Sequence, residues 1–156
     1  TTNLHHEIEL VVAIGQGGSQ ISVGDALRHV FGYAVGLDMT RRDLQSDMKA
    51  QGRPWCIAKG FDHSAPIGPI MPTALAGDIA QAESSLRVNG QMRQHSTVSQ
   101  LIWSIAETIS QLSHAWTLQP GDLIFTGTPA GVGAVKPGDT MQGSVTGLTP
   151  IEFRVV

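Results

Sequence analysis

The segment Leu4–Ile14, with the sequence LHHEIELVVAI, decides the fold that we expect for this chain. Alternate side chains of a β-strand leave opposite faces of a sheet, so one face would carry four aliphatic residues and the other His5, Glu7 and Glu9. Two neighbouring carboxylates repel each other unless a positive charge lies between them. The pattern indicates either oxygen ligands of a divalent cation or a solvated strand face, and the apolar run that follows favours the cation.

Length and composition predict a single domain, residues 1–156, that is large enough to bury a sizeable core. Hydrophobic residues make up 41% of the chain, and the net charge of −3 offers no basic surface for nucleic acid. No apolar run reaches the roughly 18 residues of a membrane span. The single cysteine, Cys56, excludes an internal disulfide and suits a reducing cytoplasm, and its neighbours in PWCI predict a packed core position.

The rest of the sequence predicts an α+β protein that is mostly β, with two or three helices packed outside the sheets. Asn89-Gly90 is a strong hairpin signal between strands at 84–88 and 91–94. Helices are predicted at 25–30, at 40–51 with Gly52 just beyond its end, and from the capping-box pattern Thr97-x-x-Gln100 to about Ala115. The remaining predicted strands are 21–23, 31–37, 53–60, 122–126, 140–146 and 151–156.

Three carboxylates form the most specific candidate site. Glu7 and Glu9 come from the first strand, and Asp38 comes directly after the apolar strand 31–37. An all-oxygen set of this kind suits Mg²⁺, Mn²⁺ or Ca²⁺ better than zinc, which favours histidine and cysteine. His5 and His6 have no second ligand at a familiar zinc spacing, so we expect them to make hydrogen bonds or to pack.

Cationic and amide side chains could complete such a site. Lys59 follows an apolar segment, and a buried lysine needs a charged partner. Arg42 and Gln45 share one face of the predicted helix and would suit a carboxylate ligand. Taken alone, however, Arg41, Arg42 and Asp43 fit a solvated helix start better. His63 and His95 are conceivable general bases, but neither has an acidic partner at a suitable spacing.

The glycine-rich segment 127–133, GTPAGVG, does not fit a nucleotide-binding loop, because no helix follows it to offer its N-terminus to phosphate. It could instead present backbone N–H groups and the Thr128 hydroxyl to a small anion. A tight connection between two strands is the alternative.

Four stretches, in this order, resemble the fumarylacetoacetate hydrolase family: HHEIEL, GLDMTRRDLQ, KGFD and GTPAGVG, at residues 5–10, 36–45, 59–62 and 127–133. The stretches RPWCIAKGFDHSAPIGPI and LIWSIAETISQLS are similar to the bacterial fumarylpyruvate hydrolases of gentisate breakdown. The resemblance covers nearly the whole chain. It implies a mixed β-roll, usually a homodimer, that acts on a small oxo acid.

The resemblance also implies roles for individual residues. Glu7, Glu9 and Asp38 match the positions that hold Mg²⁺ or Mn²⁺, and a set of four matches positions that contact the substrate: Arg42, Gln45, Lys59 and Thr128. The implied reaction is hydrolysis of an acylpyruvate, with 3-fumarylpyruvate giving fumarate and pyruvate, and Lys59 as the catalytic cation. Relatives that decarboxylate oxaloacetate or isomerise oxo-diacids leave those reactions open, as does a non-catalytic oxo-acid-binding module.

One part of the family pattern falls outside this sequence. The histidine and acidic residue that activate water in the family lie on a lid segment ahead of the Glu-x-Glu strand, where this chain has only Thr1–Leu4. We therefore expect the chain to be the C-terminal catalytic part of a longer protein.

Overall fold

The computed structural model describes residues 1–156 as eleven strands, three α-helices and four short 3₁₀ turns. The strands are β1 Leu4–His6, β2 Ile8–Ile14, β3 Val30–Leu37, β4 Thr40–Arg41, β5 Met71–Pro72, β6 Glu83–Val88, β7 Gln91–Thr97, β8 Leu123–Phe125, β9 Gly133–Val135, β10 Thr140–Val145 and β11 Ile151–Arg154. The helices are α1 Arg42–Ala50, α2 Cys56–Lys59 and α3 Ile105–Ala115. The α+β, mostly-β class is thereby confirmed. None of the helices combines the length and the apolar character that crossing a membrane requires.

Two four-stranded sheets and one three-stranded sheet organise the molecule. Their strand orders are β5-β3-β2-β8, β11-β10-β6-β7 and β4-β1-β9, with antiparallel pairing throughout. The predicted apolar face of the first strand lies in the core cluster of 27 buried residues, which draws on both four-stranded sheets. Its members from β2 are Ile8, Leu10, Val12 and Ile14.

The opposite face of the first strand is also buried, so the solvated alternative is excluded. All seven residues of β2 are buried, and Glu7, in the break between β1 and β2, is only 7% exposed. The predicted hairpin is confirmed, since Asn89 and Gly90 both have the positive φ angles that its two-residue turn needs. Gly52, at φ +62°, lies just beyond α1 as predicted.

Three local predictions are wrong. Residues 21–23 form no strand, and the predicted strand 53–60 is instead an irregular stretch leading into α2, where the Trp55 carbonyl accepts the Ala58 and Lys59 N–H groups. Cys56 is consequently exposed rather than packed in the core, because only Ala58 of this four-residue helix faces inward.

The start of the long helix also differs from the prediction. Thr97 precedes only a 3₁₀ turn, and the N-cap of α3 is Ser104, seven residues further along the chain. Ser104 and Glu107 form a reciprocal capping box, in which the Glu107 carboxylate accepts from the Ser104 N–H at 2.8 Å. Both segments fit the same sequence pattern, but a carboxylate accepts this hydrogen bond more strongly than the amide of Gln100 would.

Candidate metal centre

The pairing of β2 with β3 brings the three predicted carboxylates together. The register places Glu9 opposite Gly36 and Ile8 opposite Leu37, so Glu7 and Asp38 lie side by side at the same end of the pair. The Asp38 N–H donates to the Glu7 carbonyl at 2.9 Å. Carboxylate oxygens of Glu7, Glu9 and Asp38 all lie within 4.8 Å of one another. Residues 31 positions apart in the sequence therefore form one acidic cluster.

Two cationic side chains contact this cluster from the helical segment. The Lys59 ammonium donates to Glu7 Oε2 at 2.8 Å and to Asp38 Oδ2 at 2.5 Å. The Arg42 guanidinium donates to Glu7 Oε1 at 2.5 Å and, through its other terminal nitrogen, to Gln45 Oε1 at 2.5 Å. The structure thus brings together the predicted residues Arg42, Gln45 and Lys59, and gives Lys59 the charged partners that its position requires.

Burial and these contacts shift the pKa values of Glu7, Asp38 and Lys59 in different directions. Burial raises the pKa of Glu7, but hydrogen bonds from Lys59 and Arg42 outweigh it and leave that pKa below its ordinary value. Burial raises the pKa of Asp38, and the hydrogen bond from Lys59 offsets this only in part. Burial lowers the pKa of Lys59, but the contacts with Asp38 and Glu7 raise it by more. The pKa therefore lies above its ordinary value, and the ammonium stays charged.

Glu9 is the carboxylate that has no cationic partner. The residue is 4% exposed, and its carboxylate accepts one hydrogen bond, from the Gly127 N–H at 2.7 Å. Burial, helped by the charges of Asp38 and Glu7, raises the pKa of Glu9 to about 7 against the pull of that N–H. A buried carboxylate beside two others is the environment that a bound divalent cation would neutralise. The donor set therefore fits Mg²⁺, Mn²⁺ or Ca²⁺.

The loop after β8 lies against the strand that carries Glu9. The Thr126 and Thr128 hydroxyls donate to the Leu10 and Ile8 carbonyls at 2.9 and 2.8 Å. Because its single proton goes to Ile8, the Thr128 hydroxyl is not free to donate to a ligand in this arrangement. The Thr128 N–H makes no hydrogen bond within the chain and is the donor that remains.

The histidines take structural positions. His5 Nδ1 lies 3.4 Å from Arg42 Nε, and His6 is buried with its Nδ1 2.9 Å from Gln94 Oε1. The exposed residues His63 and His95 make no hydrogen bond with the acidic cluster, and His95 lies 3.7 Å from Glu83 on the neighbouring strand. Neither one is placed as a base for chemistry at the three carboxylates.

Gln94 is the residue of this region that the sequence did not reveal. It is 1% exposed, and its side chain reaches both the first strand and the Thr128 loop. No alternation along β7 marks it as inward-facing, because Met92, two residues earlier, is exposed like the direct neighbours Arg93 and His95. Its partners, more than 30 residues away on either side, could not be read from the pattern.

The family model described as fumarylacetoacetate (FAA) hydrolase C-terminal matches residues 1–156. The chain belongs to this family. A fumarylpyruvate hydrolase from a Ralstonia species is 47% identical over 156 residues, which cover 99% of this chain and 80% of that protein. The mitochondrial oxaloacetate tautomerase of Rattus norvegicus is 43% identical over 153 residues, covering 98% of this chain and 69% of the relative.

Solved structures of the family share the fold. The fumarylpyruvate hydrolase of Pseudomonas aeruginosa, determined in complex with Mn²⁺ and pyruvate, matches with a TM-score of 0.98 and 58% identity. The match covers 100% of this chain and 67% of that one. The expected family fold is confirmed, and this chain spans about two thirds to four fifths of the length of these relatives.

Proposed function

We propose that this chain forms the metal-dependent site of a hydrolase that cleaves a carbon–carbon bond of an acylpyruvate. The proposed substrate is 3-fumarylpyruvate, which would give fumarate and pyruvate. The observation that carries the proposal is the cluster of Glu7, Glu9 and Asp38, whose oxygens lie within 4.8 Å, with Lys59 bound to its edge. The 58% identity to a fumarylpyruvate hydrolase that binds Mn²⁺ and pyruvate supports the choice of substrate.

The three carboxylates would hold one divalent cation, with Mg²⁺ as the proposed ion and Mn²⁺ or Ca²⁺ as substitutes. When bound, the cation would polarise the 2-oxo-carboxylate end of the substrate as a Lewis acid. Glu9 would bind the ion as a carboxylate and would therefore have to release its proton.

Lys59 supplies positive charge at the point where the reaction develops negative charge. Water adds to the distal carbonyl carbon, the carbon–carbon bond breaks, and its electron pair leaves with the pyruvate fragment as an enolate, which then takes up a proton. An ammonium group held beside the cluster stabilises that enolate without having to reorganise. We place the base that activates the water outside residues 1–156, as part of the same proposal.

Two further groups, one side chain and one backbone N–H, would orient the substrate. Gln45 Oε1 accepts from Arg42, and the two N–H donors of the same amide have no partner within the chain, so a carboxylate or oxo group could accept them. The Thr128 backbone N–H offers a second donor, next to the Gly127 N–H that bonds Glu9. The proposal includes the homodimer and the role in gentisate breakdown that the resemblance implies, and the cytoplasmic location that the single cysteine suits.

A second candidate function is isomerisation or decarboxylation of oxaloacetate. It is favoured by the 43% identity to the rat oxaloacetate tautomerase and the 40% identity to an oxaloacetate decarboxylase of Dictyostelium discoideum. Oxaloacetate carries the same 2-oxo-carboxylate group as an acylpyruvate, so the metal site alone does not discriminate between these substrates.

Product analysis separates the candidates. The full-length protein is loaded with Mn²⁺ and incubated with fumarylpyruvate or with oxaloacetate, and the products are followed by NMR. We expect fumarate and pyruvate in equal amounts, a loss of turnover after chelation and recovery when Mn²⁺ is returned. Turnover of oxaloacetate alone would replace the first candidate with the second. Binding of Mn²⁺ and pyruvate without any turnover would indicate a non-catalytic module.

A further inference from the structure

Gln94 makes four hydrogen bonds that join three separate parts of the molecule. Its Oε1 accepts from the Ile8 N–H at 3.1 Å and lies 2.9 Å from His6 Nδ1. Its Nε2 donates to Thr128 Oγ1 at 2.8 Å and to the Pro129 carbonyl at 2.9 Å. All the hydrogen-bonding capacity of a glutamine amide is used, and the group is buried.

The direction of each of these bonds is fixed by the backbone. The Ile8 N–H can only donate and the Pro129 carbonyl can only accept, so the amide cannot be turned over without leaving both unsatisfied. It follows that His6 carries its proton on Nδ1. It also follows that Thr128 receives a hydrogen bond from Gln94 and passes its own proton to the Ile8 carbonyl.

The three parts that meet at Gln94 include both sides of the candidate site. Ile8 lies between the two carboxylates Glu7 and Glu9, whereas Thr128 and Pro129 belong to the loop whose Gly127 N–H binds Glu9. Gln94 itself belongs to β7, which lies in a different sheet from β2. Gly131 packs against the same part of β7, since a Cβ there would lie 2.1 Å from the Arg93 carbonyl oxygen.

We propose that Gln94 is a positioning residue, which holds the loop Thr126–Pro129 at a fixed distance from the metal-ligand strand and thereby sets the affinity of the site for an oxo acid. The inference rests on the proposed function for the identity of the ligand. Gln94 would not contact the ligand or the metal. Gln94 would change ligand affinity mainly through the position of the loop. Its influence through the backbone of Ile8 would be weaker, because the pairing of β2 with β3 also holds that residue in place.

The experiment compares two substitutions in the full-length protein. Gln94→Met keeps a similar volume and removes all four hydrogen bonds, whereas Gln94→Glu keeps the two acceptor contacts and loses the two donors to Thr128 and Pro129. Ser113→Ala is the matched control, because Ser113 is also buried and also bonded to backbone groups, but on α3 and against Ile21.

Affinities for Mn²⁺, and for pyruvate in the presence of Mn²⁺, are measured by calorimetry. We expect both Gln94 variants to lose about tenfold or more in pyruvate affinity, the equivalent of one buried hydrogen bond, and to change less than about threefold in Mn²⁺ affinity. The control should keep both affinities. Wild-type pyruvate affinity in Gln94→Glu, or an equal loss for both ligands in Gln94→Met, would overturn the inference.

The ¹⁵N NMR spectrum of the imidazole rings supplies a readout that does not depend on ligand binding. The wild-type protein and Ser113→Ala should show His6 with its proton on Nδ1, and Gln94→Met should lose that preference. An Nε2-protonated His6 in the wild-type protein would overturn the network itself. If the wild-type protein binds neither Mn²⁺ nor pyruvate, the proposed function is wrong, and the predicted effect of Gln94 on oxo-acid affinity is wrong with it. The spectrum still tests the hydrogen bonds of Gln94 in that case.

Discussion

The acidic and the cationic halves of the candidate site are built in different ways. Glu7, Glu9 and Asp38 extend from β2, β3 and their ends, where nearly every residue is buried and paired. Arg42 and Lys59 come from α1, which has no buried residue, and from α2, which has only one. Sheet packing therefore fixes the carboxylates whether or not they are neutralised, whereas the cations are held largely by the charges that they contact.

This contrast explains why the unfavourable burial of charge falls on the carboxylates. A strand cannot withdraw from a core, so Glu9 stays buried without a cation and responds with a raised pKa. Helices α1 and α2 contribute no residue to the core cluster and place their cations beside the carboxylates.

Removing one carboxylate from the sheet should abolish metal binding. Glu9→Gln takes away a charged ligand, and divalent cation affinity depends steeply on the number of such ligands, so we expect a loss of about a thousandfold for Mn²⁺. Calorimetric titration measures the affinity. Glu83→Gln, an acidic residue on β6 that lies outside the cluster, should bind Mn²⁺ as the wild-type protein does. Equal affinity in Glu9→Gln and wild type would contradict the assignment.

The raised pKa of Glu9 should make the metal-free protein less stable as the pH rises. The folded state holds this proton up to about pH 7 and the unfolded chain releases it near its ordinary value of 4.5, so stability is lost between those values. The Glu9 contribution to the free energy of unfolding should fall by about 3 kcal/mol across that window. Denaturant titrations at several pH values measure it as the difference between wild type and Glu9→Gln. A difference that does not vary with pH would refute the prediction.

Removing Lys59 should destabilise the metal-free protein more than the metal-loaded one. Lys59→Met leaves Glu7 and Asp38 without their shared cation, which we expect to cost about 2 kcal/mol of unfolding free energy. A bound cation neutralises the same carboxylates, so saturating Mn²⁺ should reduce this loss. Denaturant titrations with and without Mn²⁺ measure both values, and Lys59→Arg keeps the charge as a control. A loss that Mn²⁺ does not reduce would argue against a metal at these carboxylates.

The smallest effect should come from the contact between Arg41, directly before α1, and Phe61, two residues after Lys59. The Arg41 guanidinium lies 4.1 Å from the centre of the Phe61 ring. Phe61→Leu keeps an apolar side chain and removes this stacking, for an expected loss of about 0.5–1 kcal/mol. A thermal unfolding experiment measures it, with Arg41→Lys as the partner variant that should weaken the same contact. Loss of Mn²⁺ binding in Phe61→Leu would show that the two halves are not independent.

The same contrast separates what the sequence could predict from what it could not. The period of two in Leu4–Ile14 and the apolar run before Asp38 identified β2, β3 and the three carboxylates, because burial leaves its pattern in the residues themselves. The segment 53–60 was assigned to a strand, because four residues of a short surface helix such as α2 leave no period to detect. The role of Gln94 was missed, because it arises only when β7 and the loop at Thr128 meet.

We propose that the sheet-borne carboxylates Glu7, Glu9 and Asp38 bind one divalent cation. The most direct measurement is an anomalous difference map from a crystal of the protein soaked in Mn²⁺. We predict a single strong peak between the carboxylates of Glu7, Glu9 and Asp38, and no such peak in crystals of Glu9→Gln. An absent peak in the wild-type crystal, or a peak that remains unchanged in Glu9→Gln, would contradict the account.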